Sequence, residues 1–332
     1  MGDVALELDR ITISAATEHG RLLVVDDLSL TLDRGSITGL VGESGSGKTV
    51  TALAATRLLP EPTLRLESGS IRLGTASLET MDAHELRAVR GARIAMVFQE
   101  PMTSLDPVFS VASLISEVLR SHAPITRRAA RQEAIRLLNQ VGIADAAQRV
   151  DQYPFQFSGG MRQRILIAMA MACEPEVLIA DEPTTALDVT VQAQILELIR
   201  SIAVDRGVAV LLVTHDLAVV SEFCDQVAVM YAGQIVETGS TLDVLTAPAH
   251  PYTAALVASV PSATQRRVGL VPTIDGTVPA LHEMPTGCRF APRCRHATER
   301  CTEPVALQAA GVGRSNRCVR SDELTLVGVG RP

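Results

Sequence analysis

The sequence predicts an α/β protein: a parallel sheet between helices, interrupted by a helical insertion and followed by a cysteine-bearing tail. Three observations carry this. Hydrophobic residues make up 47% of the 332 positions while aromatics make up 3% and Trp is missing, so the core is built from Val, Ile, Leu and Ala. Such a core suits strands buried on both faces better than a β-sandwich. Short apolar runs, "SITGLVG", "EVLIAD" and "VAVLLVT", are each followed by a stretch with helical character. Past about Ser259 periodicity fades, Pro, Gly and Arg become frequent, and the last four of the six cysteines appear. The length exceeds what one hydrophobic core usually organises, which favours one large domain plus an appendage.

Taken in order, "LELDRITIS" alternates polar and apolar residues as a half-buried strand does. "SITGLVG" is a buried strand ending at glycine, and "TVTALAATRLL" is the helix after it. From "ARIAMVFQ" onward the pattern changes, and roughly residues 110–172 read as helices on short loops, with Thr126 as an N-cap. Strand "EVLIAD", helix "VQAQILELIRSIA", strand "VAVLLVT" and a helix from Asp216 restore the alternation.

Net charge is −7, so nothing global draws the chain to nucleic acid. "MGDVALELDR" lacks the basic-then-apolar pattern of a secretion signal, Leu6 breaks the myristoylation pattern, and "VAVLLVT" is far too short to cross a bilayer. The expectation is a soluble cytosolic chain that is able to sit on a membrane protein, with cysteines that do not form a disulfide framework.

"GESGSGKT" (Gly42, Glu43, Ser44, Gly45, Ser46, Gly47, Lys48, Thr49) fits G-x-x-x-x-G-K-[ST] between a strand and a helix. Backbone N–H groups of such a loop converge on phosphate oxygens, aided by the positive end of the helix. Lys48 is expected to reach the β- and γ-phosphates of ATP, and the Thr49 hydroxyl to hold Mg²⁺. "VLIADEP" closes a buried strand with Asp181 and Glu182. The Asp is expected on, or one shell from, Mg²⁺; the Glu faces the γ-phosphate and polarises the attacking water. Gln99 at the end of "ARIAMVFQ" is a candidate sensor of Mg²⁺ or water, and His215 ends a further strand. "FQFSGGMRQR" adds a second anion-suited backbone at Ser158, Gly159 and Gly160.

Together these pieces resemble the ABC-type ATPases over about residues 4–245. "GESGSGKT" resembles the Walker A loop, Gln99 the Q-loop, "FSGGMRQR" the signature, "VLIADEP" Walker B, "TALD" with Asp188 the D-loop, and His215 the H-loop switch. The resemblance implies an ABC-type P-loop core with an antiparallel β subdomain and a helical subdomain. It implies that two such domains face head to tail, with each ATP between the Walker A loop of one and the signature of the other. Ser158, Gly159 and Gly160 would then donate to a γ-phosphate held by a partner chain, and His215 would contact the γ-phosphate of its own site. Where the family usually stacks adenine on an aromatic, this chain has His19.

"FQEPMTSLDP", "HPYT", "FSGGM" and the tail "GCRFAPRC" resemble the oligopeptide/dipeptide branch of ABC importers. That implies a nucleotide-binding domain over 1–258 (helical subdomain about 108–172) and a C-terminal region over 259–332. It also implies partners: a second, different ATPase subunit, two permease subunits and an extracytoplasmic solute-binding protein, with the chain peripheral on the cytoplasmic face of the cell membrane and no nucleic acid bound. Di- or oligopeptides are the implied solute, with nickel or another small solute as the alternative. Two other classes stand as rivals: a non-transport ABC ATPase acting on DNA or ribosomes, and a metal-sensing regulatory module.

Cys288, Cys294, Cys301 and Cys318 are spaced C-x5-C-x6-C-x16-C. Four thiols suggest a tetrathiolate site for Zn²⁺ or an iron–sulfur cluster, and the resemblance favours [4Fe–4S]. Arg289, Arg293, Arg295, Arg300 and Arg317 lie among them with Glu299 and Glu303 opposing, so local positive charge is expected to favour thiolates. Cys173 and Cys224 read as ordinary buried cysteines.

Overall fold

A computed structural model describes residues 3–99, 104–185, 187–260 and 273–329. Residues 100–103 of "FQEPMTSLDP", Ala186 of "TALD" and 261–272 of the tail lie outside them. The elements run β1 (Val4–Thr17), β2 (Gly20–Asp33), β3 (Ile37–Val41), α1 (Lys48–Ala55), β4 (Leu64–Leu73), β5 (Ala76–Ser77), α2 (Ala83–Val89) and β6 (Ile94–Val97). Helices α3 (Val111–His122), α4 (Arg127–Gln140), α5 (Ala146–Arg149) and α6 (Gly159–Ala170) follow. Then come β7 (Val177–Asp181), α7 (Val189–Arg206), β8 (Ala209–Thr214), α8 (Leu217–Phe223), β9 (Gln226–Tyr231), β10 (Gln234–Ser240), α9 (Thr241–Thr246) and α10 (Pro251–Ala258). The tail adds single helical turns and two short strands, β11 (Gln308–Ala309) and β12 (Ser315–Asn316). Among the described residues no helix is long and apolar enough to cross a membrane.

Two compact units form, each from discontinuous segments. The first comprises Met1–Leu6, Leu32–Ile37 and Leu73–Leu212. In it β6 and β7 pair in parallel, Ile94 against Val177 through Val97 against Ala180. All five residues of β7 are buried, as the unbroken apolar run requires of a strand covered on both faces. The helices expected between 110 and 172 form as α3–α6. Ser110 and Thr126 accept from the N–H three residues on and start α3 and α4. Val111, Leu114, Ile115 and Leu119 give α3 one buried stripe, and Ala130, Ala134, Leu137 and Leu138 do so for α4.

Arg34 and Arg93 both pair with Glu176, just ahead of β7. The Arg93 hydrogen bond first, then Arg34, holds the Glu176 carboxyl below its ordinary range. A depressed acid contributes stability above its unfolded pKa of about 4.3, and the contribution disappears as pH falls through the folded value. Glu176→Gln is therefore expected to lower unfolding free energy by about 1 kcal/mol at pH 7 and by much less near pH 3. Urea unfolding of both proteins at the two pH values checks this, and an equal loss at both would count against the pairing.

The second unit comprises Glu7–Thr31, Thr38–Arg72 and Val213–Pro332. Here β1 lies between β2 and β4, and β3 pairs in parallel with β9, Thr38 against Gln226 through Val41 against Val229. An Ala232–Gly233 turn joins β9 to antiparallel β10. Both turn residues have positive φ, 46° and 86°, the geometry that matches the twist of a hairpin. A Cβ on Gly233 would fall 2.5 Å from Val24 O, so only glycine fits.

The tail is irregular, as expected, but it is fastened to the core in a way composition does not disclose. β12 extends the sheet from β10, with Glu237 opposite Asn316. The Arg317 side chain is buried and donates to Ile235 O, Val305 O and Asp27 O. Arg289, also buried, donates to Ala232 O and pairs with Asp26.

Candidate functional site

In the second unit β3 delivers the chain, fully buried, to the glycine loop at 42–49. A Cβ at Gly42 would fall 2.0 Å from Met230 O, and one at Gly47 2.7 Å from Met230 Cε. Gly47, with φ 101°, is also the residue that caps α1. The two glycines therefore let the loop wrap tightly against β9 and turn straight into the helix. Lys48 is buried and folds over the loop, donating to Gly42 O at 2.9 Å and Glu43 O at 3.1 Å. Ser46 Oγ is buried without a hydrogen-bond partner, and the Ser46 carbonyl accepts from Gly233 N–H at 2.8 Å. A concave backbone loop with a buried ammonium across it is suited to a polyphosphate. Ser44, Gly45 and Thr49 complete the loop, with Thr49 in the first turn of α1.

His215 follows β8 directly and is exposed. His19, at the tip of the β1–β2 hairpin, faces an imidazole from the tail: its ring lies 4.5 Å from that of His282, tilted by 37°. Nothing in the sequence pointed to His282, which lies more than 260 residues from its neighbour.

The acid pair, Gln99, the serine–glycine–glycine stretch and Asp188 belong to the first unit. Asp181 ends β7 and is buried. Glu182 sits in left-handed backbone, φ 47°, which turns its carboxylate out of the strand direction at a conformational cost of order 1 kcal/mol or more. Its Oε2 accepts two hydrogen bonds, from Gln99 Nε2 and from Thr185 Oγ1, each 2.9 Å. Gln99, expected as a sensor of Mg²⁺ or water, here donates to Glu182. Thr185 was missed in the sequence, although it lies within the quoted "TALD".

Ser158 caps α6, its Oγ accepting from Met161 N–H, and both Ser158 and Gly159 are exposed. Their two glycines differ. A Cβ at Gly159 would meet only Leu187 Cδ2, at 3.5 Å, while one at Gly160 would fall 2.4 Å from Val191 Cγ1. Gly160 is thus demanded by packing within this chain, and Gly159 is free of that demand. Asp188 caps α7 by accepting from Val191 N–H at 3.0 Å.

Cys288, Cys294, Cys301 and Cys318 line one small cavity with His250 and Phe290, and all are free thiols. Among the described residues no three His, Cys, Asp or Glu groups stand at metal-ligating geometry. The expected thiolate-favouring field is corrected by the structure. Burial, reinforced by Cys301, Cys294 and Cys318, pushes the Cys288 thiol up to about 11, and burial also raises Cys294 and Cys318. The arginines are spent elsewhere: Arg289 on Asp26, Arg293 on Glu43, Arg295 on Asp275, Arg300 on Glu323 and Arg317 on Asp27. Asp26, Asp27 and Glu43 are distant in sequence, and Asp275 and Glu323 lie outside the cysteine window, so counting Glu299 and Glu303 alone overstated the local positive charge. Of the other two cysteines, Cys224 is buried and Cys173 half-buried.

His250 is buried, and burial first, then Arg317, lowers its pKa to about 3, so it is neutral. Its Nδ1 accepts from Tyr252 N–H at 3.0 Å, which leaves the proton on Nε2. That Nε2 is buried without a hydrogen-bond partner, in a residue lining the cysteine cavity. An orphaned N–H donor beside four thiols is what a sulfur-rich guest would satisfy.

A family profile described as "ABC transporter" matches residues 25–185, and one described as "Oligopeptide/dipeptide transporter, C-terminal region" matches 236–301. A putative peptide import ATP-binding protein of Brucella abortus (strain 2308) is 47% identical over 313 residues, 94% of each chain. A probable D,D-dipeptide transport ATP-binding protein of Escherichia coli (strain K12) is 46% identical over 318 residues, 96% of each chain. Among solved structures, a dimeric post-hydrolysis ATP-binding cassette bound to ADP and Pi is similar with TM-score 0.64 and 23% identity, covering 71% of this chain and 98% of that one. A part of an ABC transporter complex from Clostridium perfringens is similar with TM-score 0.63 and 23% identity, covering 81% and 100%.

Proposed function

Because the chain belongs to the ABC transporter ATP-binding family, we propose that it is the ATP-hydrolysing subunit of a binding-protein-dependent importer of di- or oligopeptides. The observation that carries the hydrolytic part is the pair of donors, Gln99 and Thr185, that fixes the Glu182 carboxylate. The solute class rests on the names of the relatives and on the C-terminal family region at 236–301.

In this reading Gly42–Thr49 hold the phosphates of ATP, with Lys48 moving from its loop carbonyls to the β- and γ-oxygens. Thr49 and Asp181 hold Mg²⁺. Glu182 orients the attacking water, and His215 contacts the γ-phosphate. The exposed Ser158 and Gly159 face a γ-phosphate bound to a second ATPase subunit, a different chain in our reading, and Asp188 stands at the same junction. Adenine is taken by His19 together with His282. Residues 1–258 form the nucleotide-binding domain and 259–332 the C-terminal region. Phe109 and Phe155 lie 48% and 64% exposed in the helical part, apolar surface that suits a permease. The chain is placed on the cytoplasmic face of the membrane with two permeases, which a solute-binding protein serves from outside.

Cys288, Cys294, Cys301 and Cys318 are assigned to a [4Fe–4S] cluster, which supplies one-electron redox chemistry when bound. Their common cavity and the orphaned His250 donor support this assignment. High thiol pKa values mean that loading displaces protons. Protein purified without oxygen is expected to carry about four irons per chain, and Cys318→Ser to lose most of them. Zinc without iron in the wild-type protein would overturn the cluster.

ATP-dependent uptake of labelled dipeptide, in vesicles holding the two permeases, the binding protein and both ATPase subunits, tests the function. Uptake is expected to vanish with Glu182→Gln. Nickel uptake in place of peptide would replace the solute class.

A further inference from the structure

Glu43 is an awkward residue in a phosphate loop, since its carboxylate stands beside the place of a polyanion. The structure shows what offsets it. Arg293 Nη1 donates to both Glu43 oxygens, at 3.2 and 3.0 Å, and its side chain is only 5% exposed. The remaining guanidinium donors go to Asp275 O, Ile274 O and Gly276 O, and the cation lies 5.7 Å from the Tyr231 ring centroid. Every part of this arginine is therefore fixed. A second restraint acts on the backbone of the same residue, where Glu43 N–H donates to Tyr252 Oη at 2.9 Å. Tyr252 is fully buried, and burial pushes its phenol up, so it stays neutral. Finally, Glu43 O accepts from Lys48 Nζ.

Both restraints lead back to the cysteine cavity. Arg293 immediately precedes Cys294, and the Phe290 ring beneath its guanidinium, at 5.9 Å, lines the cavity. Tyr252 N–H donates to His250 Nδ1, whose other nitrogen is the orphaned donor. We propose that Arg293, carried on the cysteine segment, is a positioning residue for the nucleotide. It neutralises Glu43 and fixes the phosphate loop, so tight ATP binding requires a filled cysteine cavity. The proposal rests on the nucleotide-loop and thiolate-site readings above. A guest that ties down Cys288 and Cys294 holds the segment between them, and with it Arg293. By reciprocity, ATP then tightens the hold on the guest.

The test is equilibrium ATP binding and steady-state hydrolysis by the full chain, iron-loaded or emptied by anaerobic chelation. In loaded protein Arg293→Ala is expected to raise the ATP Kd about ten-fold, with KM rising in parallel and kcat at saturating ATP changed by less than about two-fold. Adding Glu43→Gln to Arg293→Ala should bring Kd back to within about three-fold of wild type, because the uncompensated charge is gone; Arg293→Lys should lose less than Arg293→Ala. Chelation should weaken ATP binding to wild type but leave the double variant unchanged. An unchanged Kd in Arg293→Ala, no rescue by Glu43→Gln, or no effect of chelation on the wild type would each overturn the proposal. Failure of the underlying readings shows separately, as full ATP affinity in Lys48→Ala or as wild-type protein without bound metal.

Discussion

Replacing Glu182 with glutamine is expected to leave ATP binding intact and to slow hydrolysis by about 10²–10⁴-fold. The amide keeps the shape of the carboxylate and loses its ability to accept a proton from water. Gln99 and Thr185 both donate to Oε2; in the variant the amide oxygen takes that place and accepts from both, so the side chain is held in nearly the same place. Single-turnover hydrolysis with equilibrium binding in parallel separates the two effects. Unchanged turnover would remove Glu182 from the chemistry. Gln99→Ala should show a milder form of the same phenotype, since the carboxylate keeps its Thr185 donor and its basicity.

Lys48→Ala is expected to fail one step earlier. The ammonium is buried and satisfied by two loop carbonyls, so nucleotide oxygens replace partners of similar geometry with partners of full negative charge. Losing hydrogen bonds of that kind should weaken ATP binding by about ten- to a hundred-fold. The fold should survive, because the loop is shaped by Gly42, Gly47 and their contact with β9 rather than by the lysine. Isothermal titration together with a circular dichroism spectrum checks both halves. Wild-type affinity in a folded Lys48→Ala would count against the cradle.

Much of the scaffold around the candidate site was legible because its parts are local. A short apolar run of five or six residues has no exposed face and reads as a buried strand, as β3, β7 and β8 turn out to be. Caps are equally local: Thr126 and Asp216 start the helices that the text around them predicts. What the sequence concealed is set by tertiary distance. The tail's arginines find Asp26, Asp27 and Glu43 across 250 residues or more, and no window of composition contains both partners. Strand β12 is two residues long, too short for any periodicity to register. His282 and Tyr252 matter through what they touch, His19 and Glu43, and neither sits in a pattern that marks a phosphate or base site. Gly160 was read as leaving room for a phosphate; its first demand is room for Val191.

That difference between the two signature glycines supplies the decisive variant. A side chain at Gly159 disturbs only a Leu187 contact at 3.5 Å, so Gly159→Asp can fold while presenting a carboxylate where the partner's γ-phosphate should dock. If each triphosphate is closed in by two polypeptides, the assembled transporter carrying Gly159→Asp will bind ATP at this chain's own loop with wild-type affinity, yet lose hydrolysis at the site completed by this segment by about a hundred-fold or more. Wild-type hydrolysis by that complex, or full-speed turnover by the isolated chain under conditions where sedimentation shows it strictly monomeric, would contradict the account.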